Sequence, residues 1–249
     1  MQLSEEDKEW LETSYPEIRI STKEGVEHLS GFLDFDMIYN PDTGSYTLSS
    51  GNRNAIQNKF HIYDRYELDI ALIEAKNSIL PETREIGGRI ENLRSKLNLK
   101  IQDLHAYPDY MLCLCARQAE ESYFPKKFNL PDFIQQLVIP FLYSNSFFEQ
   151  NNTRPWGEHG HSGLGTLEYY MDQQKFGDKK LVTSTLHALD EDTNTNSSSY
   201  FSYLQRIDIP GHLDCVCGSK KRISKCHPNA LIGLRKLKND LANLGIDVV

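Results

Sequence analysis

The chain has 249 residues, 39% hydrophobic and 25% charged, enough for one medium domain plus a small appendage and for a core that needs no staples. Lys and Arg number 27 against 35 Asp and Glu, a net charge of -8, which disfavours a protein that coats nucleic acid or anionic lipid by bulk charge. The longest greasy stretches, such as Phe133–Tyr143, fall well short of the ~20 apolar residues of a bilayer span. The start, MQLSEEDKEW, is acidic and lacks the layout of a signal peptide, so no membrane association and a cytoplasmic location are expected.

In chain order, Leu3–Leu11 suits a short acidic helix. Extended segments follow at Glu17–Ser21, Leu29–Tyr39, Ser45–Leu48 and Tyr66–Ile73. In the last of these, Tyr66, Leu68 and Ile70 alternate with Glu67 and Asp69, as in a half-buried strand. Turn signals at Asn40-Pro41-Asp42-Thr43-Gly44 and Ser49-Ser50-Gly51-Asn52 favour an antiparallel meander. Leu130-Pro131-Asp132 opens a helix carrying Phe133, Leu137, Val138, Phe141 and Leu142, with Pro140 as a kink or break. Gly165–Gln174 reads as another helix. Glu191–Tyr200 is dominated by Asn, Ser and Thr without apolar periodicity and reads as a flexible linker. Pro228 then starts an amphipathic helix with Leu231, Leu234, Leu237, Leu241 and Leu244. These elements predict an α/β (α+β) domain over 1–190, a polar linker over 191–204 and a small cysteine-rich module with a terminal helix over 205–249.

None of the five cysteines precedes Cys113. An odd number in two clusters, without an export signal, argues against a disulfide framework. Each cluster calls for its own chemistry.

Residues 215–227 read C-x-C-G-S-x6-C-H. Thiolate and imidazole are the donors that zinc takes in a tetrahedron, and a C-x-C pair on a tight turn can aim both sulfurs at one ion. Gly218 permits the backbone to fold beneath it. Cys215, Cys217, Cys226 and His227 are therefore the candidate ligands, and four protein donors make the Zn2+ structural. The stretch closely resembles the SEC-C motif, the zinc-binding tail first seen at the end of SecA proteins, over roughly Gly211–Pro228. Gly218, Ser219 and the basic residues between the ligand pairs match as well. The resemblance implies a docking element that is not itself an active site. Lys220, Lys221, Arg222 and Lys225 supply either a contact to nucleic acid or an acidic protein, or a plain solvated surface.

In the middle of the chain a His precedes a Cys by eight residues, across a Pro-containing turn and an apolar strand: Asp103-Leu104-His105-Ala106-Tyr107-Pro108-Asp109-Tyr110-Met111-Leu112-Cys113-Leu114. Cys113 is either a buried small hydrophobe or a nucleophile. Around it stand Leu80-Pro81-Glu82-Thr83-Arg84-Glu85-Ile86-Gly87-Gly88-Arg89-Ile90 upstream and Trp156-Gly157-Glu158-His159-Gly160-His161-Ser162-Gly163-Leu164-Gly165-Thr166-Leu167-Glu168-Tyr169-Tyr170 downstream. This ordered series, over roughly Tyr15–Tyr170, resembles the prokaryotic relatives of ubiquitin-conjugating enzymes found in bacterial antiphage operons. The resemblance implies a ubiquitin-conjugating-like antiparallel meander flanked by helices. It also implies that Cys113 holds a ubiquitin-like or nucleotidyltransferase C-terminus as a thioester and passes it to an amine on a target protein. His105 matches the His that opens the active-site turn, and Asp109 the acidic position before the cysteine strand. Two positions depart from the pattern: Tyr110 stands where Gly is usual, and His105-Ala106-Tyr107 replaces the His-Pro-Asn of the eukaryotic enzymes.

Cys115 is expected on the same face as Cys113 if the strand stays regular, in a structural role, with backup chemistry or redox pairing as alternatives. Glu158, His159 and His161 supply three ligands for a second metal or belong to a hydrogen-bonded loop. Trp156, Tyr169 and Tyr170 read as anchors. No G-x-S-x-G elbow, Walker A loop or GxGxxG is present, so activation of the cargo is expected from a separate enzyme. The competing expectation is an inactive conjugating-like adaptor whose zinc tail docks a partner protein.

Overall fold

The computed structural model describes residues 1–48, 59–74, 78–116, 119–120, 123–124, 128–156, 159–160, 162–173, 177–192 and 197–248. The chain divides into two compact units, Met1–Cys115 with Ala119–Glu158 and Ala116–Gln118 with His159–Val249.

The first unit opens with α1 (Glu5–Ser14), displaced two residues from the expected start because Ser4 caps it. The Ser4 hydroxyl accepts the Asp7 N–H at 3.1 Å and the Asp7 carboxylate accepts the Ser4 N–H at 2.9 Å, a reciprocal capping box. An antiparallel sheet follows, β1 (Ile18–Lys23), β2 (Val26–Asn40), β3 (Ser45–Leu48), β4 (His61–Glu74) and β5 (Pro81–Glu85), in the order β1-β2-β4-β5 with β3 paired to β2. Glu24 and Gly25 join β1 to β2 with φ of 51° and 82°, the left-handed pair that a two-residue hairpin requires. The expected turn at Ser49–Asn52 lies outside the described residues.

Alternation along the long β2–β4 ladder sends Leu29, Leu33, Phe35 and Met37 of β2 to the core, with Tyr66, Leu68 and Ile70 of β4. After β5 come α2 (Arg89–Leu97) and a 3-10 turn, Ile101–Leu104. The helix predicted from Leu130 continues past Pro140, where a kink or break was expected, with a local irregularity just before the proline. α3 (Leu130–Phe133) passes through a π-helical turn, Ile134–Val138, into α4 (Ile139–Asn151). The Ile139 N–H reaches back to the Ile134 carbonyl, and this widened turn accommodates the proline that follows, which has no N–H to offer. α4 is buried nearly all round, and its Ser146 hydroxyl bonds Asp64, which also receives both terminal nitrogens of Arg89 at 2.6 and 2.7 Å.

The second unit is helical: α5 (Ser162–Asp172), α6 (Lys179–Asp190), α7 (Ser197–Leu204), α8 (Ile223–Cys226) and α9 (Pro228–Leu244). It starts well before the boundary expected at residue 190. The reason is packing: Leu164, Leu167 and Tyr170 of α5 share one core with Leu231, Leu234, Leu237 and Leu241 of α9. Residues 193–196 of the expected linker, and Gln174, lie outside the described residues. The rest of the linker stretch includes α7, whose Tyr200 and Leu204 are buried one helical turn apart, so its polar composition masks an apolar face.

α5 and α9 touch backbone to side at Gly233, where an added Cβ would lie 1.9 Å from the Leu167 carbonyl oxygen. The buried Asp240 carboxylate of α9 accepts the Tyr170 hydroxyl at 2.5 Å. Gly233→Ala is expected to force these helices apart and destabilise the second unit by about 2 kcal/mol, the usual scale of overpacking. Chemical denaturation followed by tryptophan-independent far-UV circular dichroism reads the loss, and an unchanged midpoint contradicts this packing account.

Candidate functional site

Residues 105–113 form a tight hairpin on the edge of β5. Its turn is Tyr107-Pro108-Asp109-Tyr110, closed by the Tyr110 N–H to the Tyr107 carbonyl at 2.9 Å and by the Tyr107 N–H to the Met111 carbonyl at 2.8 Å. Pro108 supplies the restricted φ of the second turn position, and Tyr110 takes the left-handed position that ends such a turn, with φ 61°. The residue that departs from the resembled pattern therefore sits at the one position where glycine is easiest. A left-handed non-glycine residue costs about 1–2 kcal/mol. Tyr110 gains an anchor in return: its hydroxyl donates to Glu91 Oε2 of α2 at 2.9 Å, and its carbonyl accepts the Glu85 N–H at 3.2 Å.

The hairpin joins the sheet through the Leu112 N–H, which donates to the Thr83 carbonyl at 2.8 Å. Regular pairing is confined to Met111 and Leu112, a much shorter strand than the apolar run suggested. The next residue is Cys113, half-buried, with its backbone N–H held by the His105 carbonyl at 2.8 Å. His105 is itself left-handed, φ 52°, at the end of the 3-10 turn. That turn is fastened from the other side by Arg154, which donates to the Asp103 carbonyl at 2.8 Å and to Asn145 of α4 at 3.0 Å.

Asp109 is exposed at the tip. Its carboxylate accepts Arg84 Nη2 at 3.1 Å and the Met111 N–H at 3.3 Å. Partial desolvation opposes its ionisation, but these bonds prevail and hold the carboxyl below its usual range. His105 thus holds Cys113 through its carbonyl, whereas Asp109 sits at the opposite end of the hairpin, bonded to Arg84 and Met111, and is not brought against the thiol. Glu91 and Arg154, which support this arrangement, carried no motif in the sequence, and Arg84 stood inside the Leu80–Ile90 segment without an assigned role. The one visible hint was the missing glycine at Tyr110. A cleft of about 230 Å³ beside the hairpin is lined by Glu91, Arg94, Ile101, Pro108 and Tyr110.

In the second unit, Asp214 bridges Arg222, and the Cys215 N–H bonds the Lys221 carbonyl at 2.8 Å, forming a small hairpin. Gly218, φ 77°, turns the chain between the two strands, and His227 ends α8 directly before Pro228 opens α9. This brings Cys215 Sγ to 3.1 Å from His227 Nδ1 and Cys217 Sγ to 3.6 Å from Cys226 Sγ. One donor atom from each of the four residues lies within 4.8 Å of the others, so the group can hold a metal ion.

The Ser219 hydroxyl lies 3.1 Å from Cys217 Sγ and 3.2 Å from Cys226 Sγ. Burial pushes the Cys215 thiol up to about 12. At Cys217 desolvation is outweighed by bonds with Ser219, which bring its thiol down to about 7. Lys220, Lys221, Arg222 and Lys225 are exposed around this centre.

Of the third candidate only His159 is described. His159 pairs with Asp172 at 2.8 Å and meets the Tyr169 ring edge-on, while the Gly160 N–H donates to Glu168 at 2.5 Å. Glu158 and His161 lie outside the described residues. Trp156 packs on Tyr39 and Tyr143, and Tyr170 is buried. Among the described residues no helix is long and apolar enough to cross a membrane. No family model, curated protein or solved structure matches the chain.

Two measurements test these sites. Arg94, Tyr110 and Ser95 hydrogen-bond the Glu91 carboxylate and lower it from 4.5 to about 2. A depressed carboxylate stabilises the fold above its unfolded value, so the Glu91 contribution is complete above 4.5 and disappears as pH falls toward 2. Glu91→Gln should therefore be less stable than wild type at neutral pH, with the difference closing over that acid window in urea denaturation. Elemental analysis of the purified chain should find a single transition-metal ion, absent from the Cys217→Ser, Cys226→Ser double variant. Equal metal in both would dismiss the four-ligand centre.

Proposed function

We propose that the protein is a conjugating enzyme of ubiquitin type that works through a thioester on Cys113. The observation that carries the reading is the position of this thiol, at the exit of a rigid Pro-containing hairpin, half-buried and with its backbone fixed by His105. The α+β build, an antiparallel meander followed by the cysteine hairpin and then helices, is compatible with a ubiquitin-conjugating-like fold.

The cargo is an activated protein C-terminus, of a ubiquitin-like protein or a nucleotidyltransferase, delivered by a separate activating enzyme. The Cys113 thiolate attacks the activated carbonyl, a carbon–sulfur bond forms, and the delivering thiolate leaves. An amine of the target protein then attacks the thioester carbonyl, loses its proton, and displaces Cys113 as thiolate. Each transfer is easier than direct amide synthesis from an unactivated carboxylate. His105 and Asp109 act here by shaping the turn: His105 holds the Cys113 N–H, and Asp109 with Arg84 braces the tip. The setting is antiphage defence in the cytoplasm, as the resemblance implies.

The ion of the second unit is assigned as zinc. Three sulfurs and an imidazole are a donor set that zinc takes in closed structural sites. Zn–S bonds of about 2.3 Å set sulfurs near 3.8 Å apart in a tetrahedron, and the Cys217–Cys226 separation of 3.6 Å is close to that. Cys215, Cys217, Cys226 and His227 would hold it, and its role is to close the hairpin on α8 and α9. The adaptor reading keeps one specific support: Tyr107 stands in place of the Asn of His-Pro-Asn, so an amide donor to the oxyanion is missing there.

Cys113→Ser separates the two readings. Co-expressed with its genomic neighbours, the variant is expected to retain cargo as a longer-lived oxyester, while the wild-type adduct disappears on thiol treatment. Intact mass names the cargo. With an activating enzyme demonstrably present, no adduct on either form moves the assignment to the adaptor.

A further inference from the structure

Acyl transfer leaves one thiol next to the nucleophile without a task. Cys115 is half-buried and packs against the core of the first unit. The strand expected to carry both cysteines stops at Leu112, and the chain bends at Cys115. As a result Cys113 Sγ lies 3.9 Å from the Cys115 carbonyl oxygen. In a regular strand, residues two apart are about 6.6 Å from each other, at the outer edge of the roughly 4.4–6.8 Å span of disulfide-bonded Cα atoms. The Cys113 thiol faces the Cys115 backbone. Burial, together with the nearby charges of Glu120 and Cys113, pushes the Cys115 thiol far above its ordinary range. It stays protonated and does not compete with Cys113 as the first nucleophile.

We infer that Cys113 and Cys115 are a redox site, closing to a reversible disulfide on contact with a hydroperoxide and thereby withdrawing the nucleophile. The meaning for regulation rests on the acyl-transfer reading; the disulfide itself does not. First the Cys113 thiolate attacks a peroxide oxygen; a sulfur–oxygen bond forms, the oxygen–oxygen bond breaks, and hydroxide leaves. Cys115 then attacks the Cys113 sulfur, the sulfur–sulfur bond forms, and the hydroxyl departs as water with the Cys115 proton. Two thiols lose two electrons and one hydrogen peroxide becomes two waters. A thiol reductant reverses the bond.

The test uses the full chain with its metal and hydrogen peroxide at a few equivalents. Trypsin releases peptide 101–117, which contains Cys113 and Cys115 and none of the other cysteines. It is expected to lose about 2 Da on oxidation and regain them with dithiothreitol. In Cys115→Ser the same peptide should instead gain about 16 Da as a sulfenic acid on Cys113, or about 138 Da where dimedone captures that acid with loss of water. Cargo loading should fall about tenfold in the oxidised wild type, recover on reduction, and in Cys115→Ser match the reduced wild type when peroxide is absent. A wild-type peptide that is unchanged, or that only gains oxygen, overturns the inference. Failure of the reduced wild type to load cargo while the disulfide forms rejects acyl transfer alone. Normal loading without a disulfide rejects the redox site alone.

Discussion

The open edge of β5 is the constraint on which the first unit depends. An edge strand carries backbone donors and acceptors that must find partners or face water. Here the hairpin 105–113 takes that edge: the Thr83 carbonyl accepts from Leu112 and the Glu85 N–H donates to Tyr110. Those two bonds set the register, and the register sets where Cys113 leaves the sheet. Everything else around the thiol adjusts to them.

Side-chain bonds then stiffen what the backbone bonds have placed. Tyr110 ties the turn to α2 through Glu91, Arg84 holds Asp109, and Arg154 pins the 3-10 turn to α4. The left-handed Tyr110 is tolerated because its neighbours supply more than a glycine could, a hydroxyl contact as well as a turn. The same economy governs the second unit, where the absence of a side chain at Gly233 lets α9 approach α5 closely enough to bury Leu234, Leu237 and Tyr170 together. The cysteine hairpin is then backed by α8 and α9, so its four donors converge without any long-range strand pairing.

Much of this architecture was legible beforehand. Alternation located β4, and the leucine spacing after Pro228 located α9, because a buried face imposes its period on the sequence. The donor cluster was legible for a related reason: its four residues lie within thirteen positions, so local chain geometry brings them together. Pro140 marked an irregularity without revealing its form, since a proline reads equally as a kink or a break and a π turn is invisible in composition. The stretch 191–204 was misread because Ser and Asn dominate it while Tyr200 and Leu204 do the packing.

The sequence by itself determined the strand and helix periods, the division of the cysteines into two clusters and which four residues could hold a metal ion. Tertiary structure decided the rest. The boundary between units moved to Glu158 because α5 finds its core with α9, more than sixty residues further along. Residues 19 and 25 positions apart, Glu91 with Tyr110 and Arg84 with Asp109, became one support for the cysteine hairpin only through its pairing with β5. Local pattern records which face of an element avoids water; which edge that element then meets depends on backbone hydrogen bonds that every residue can make alike.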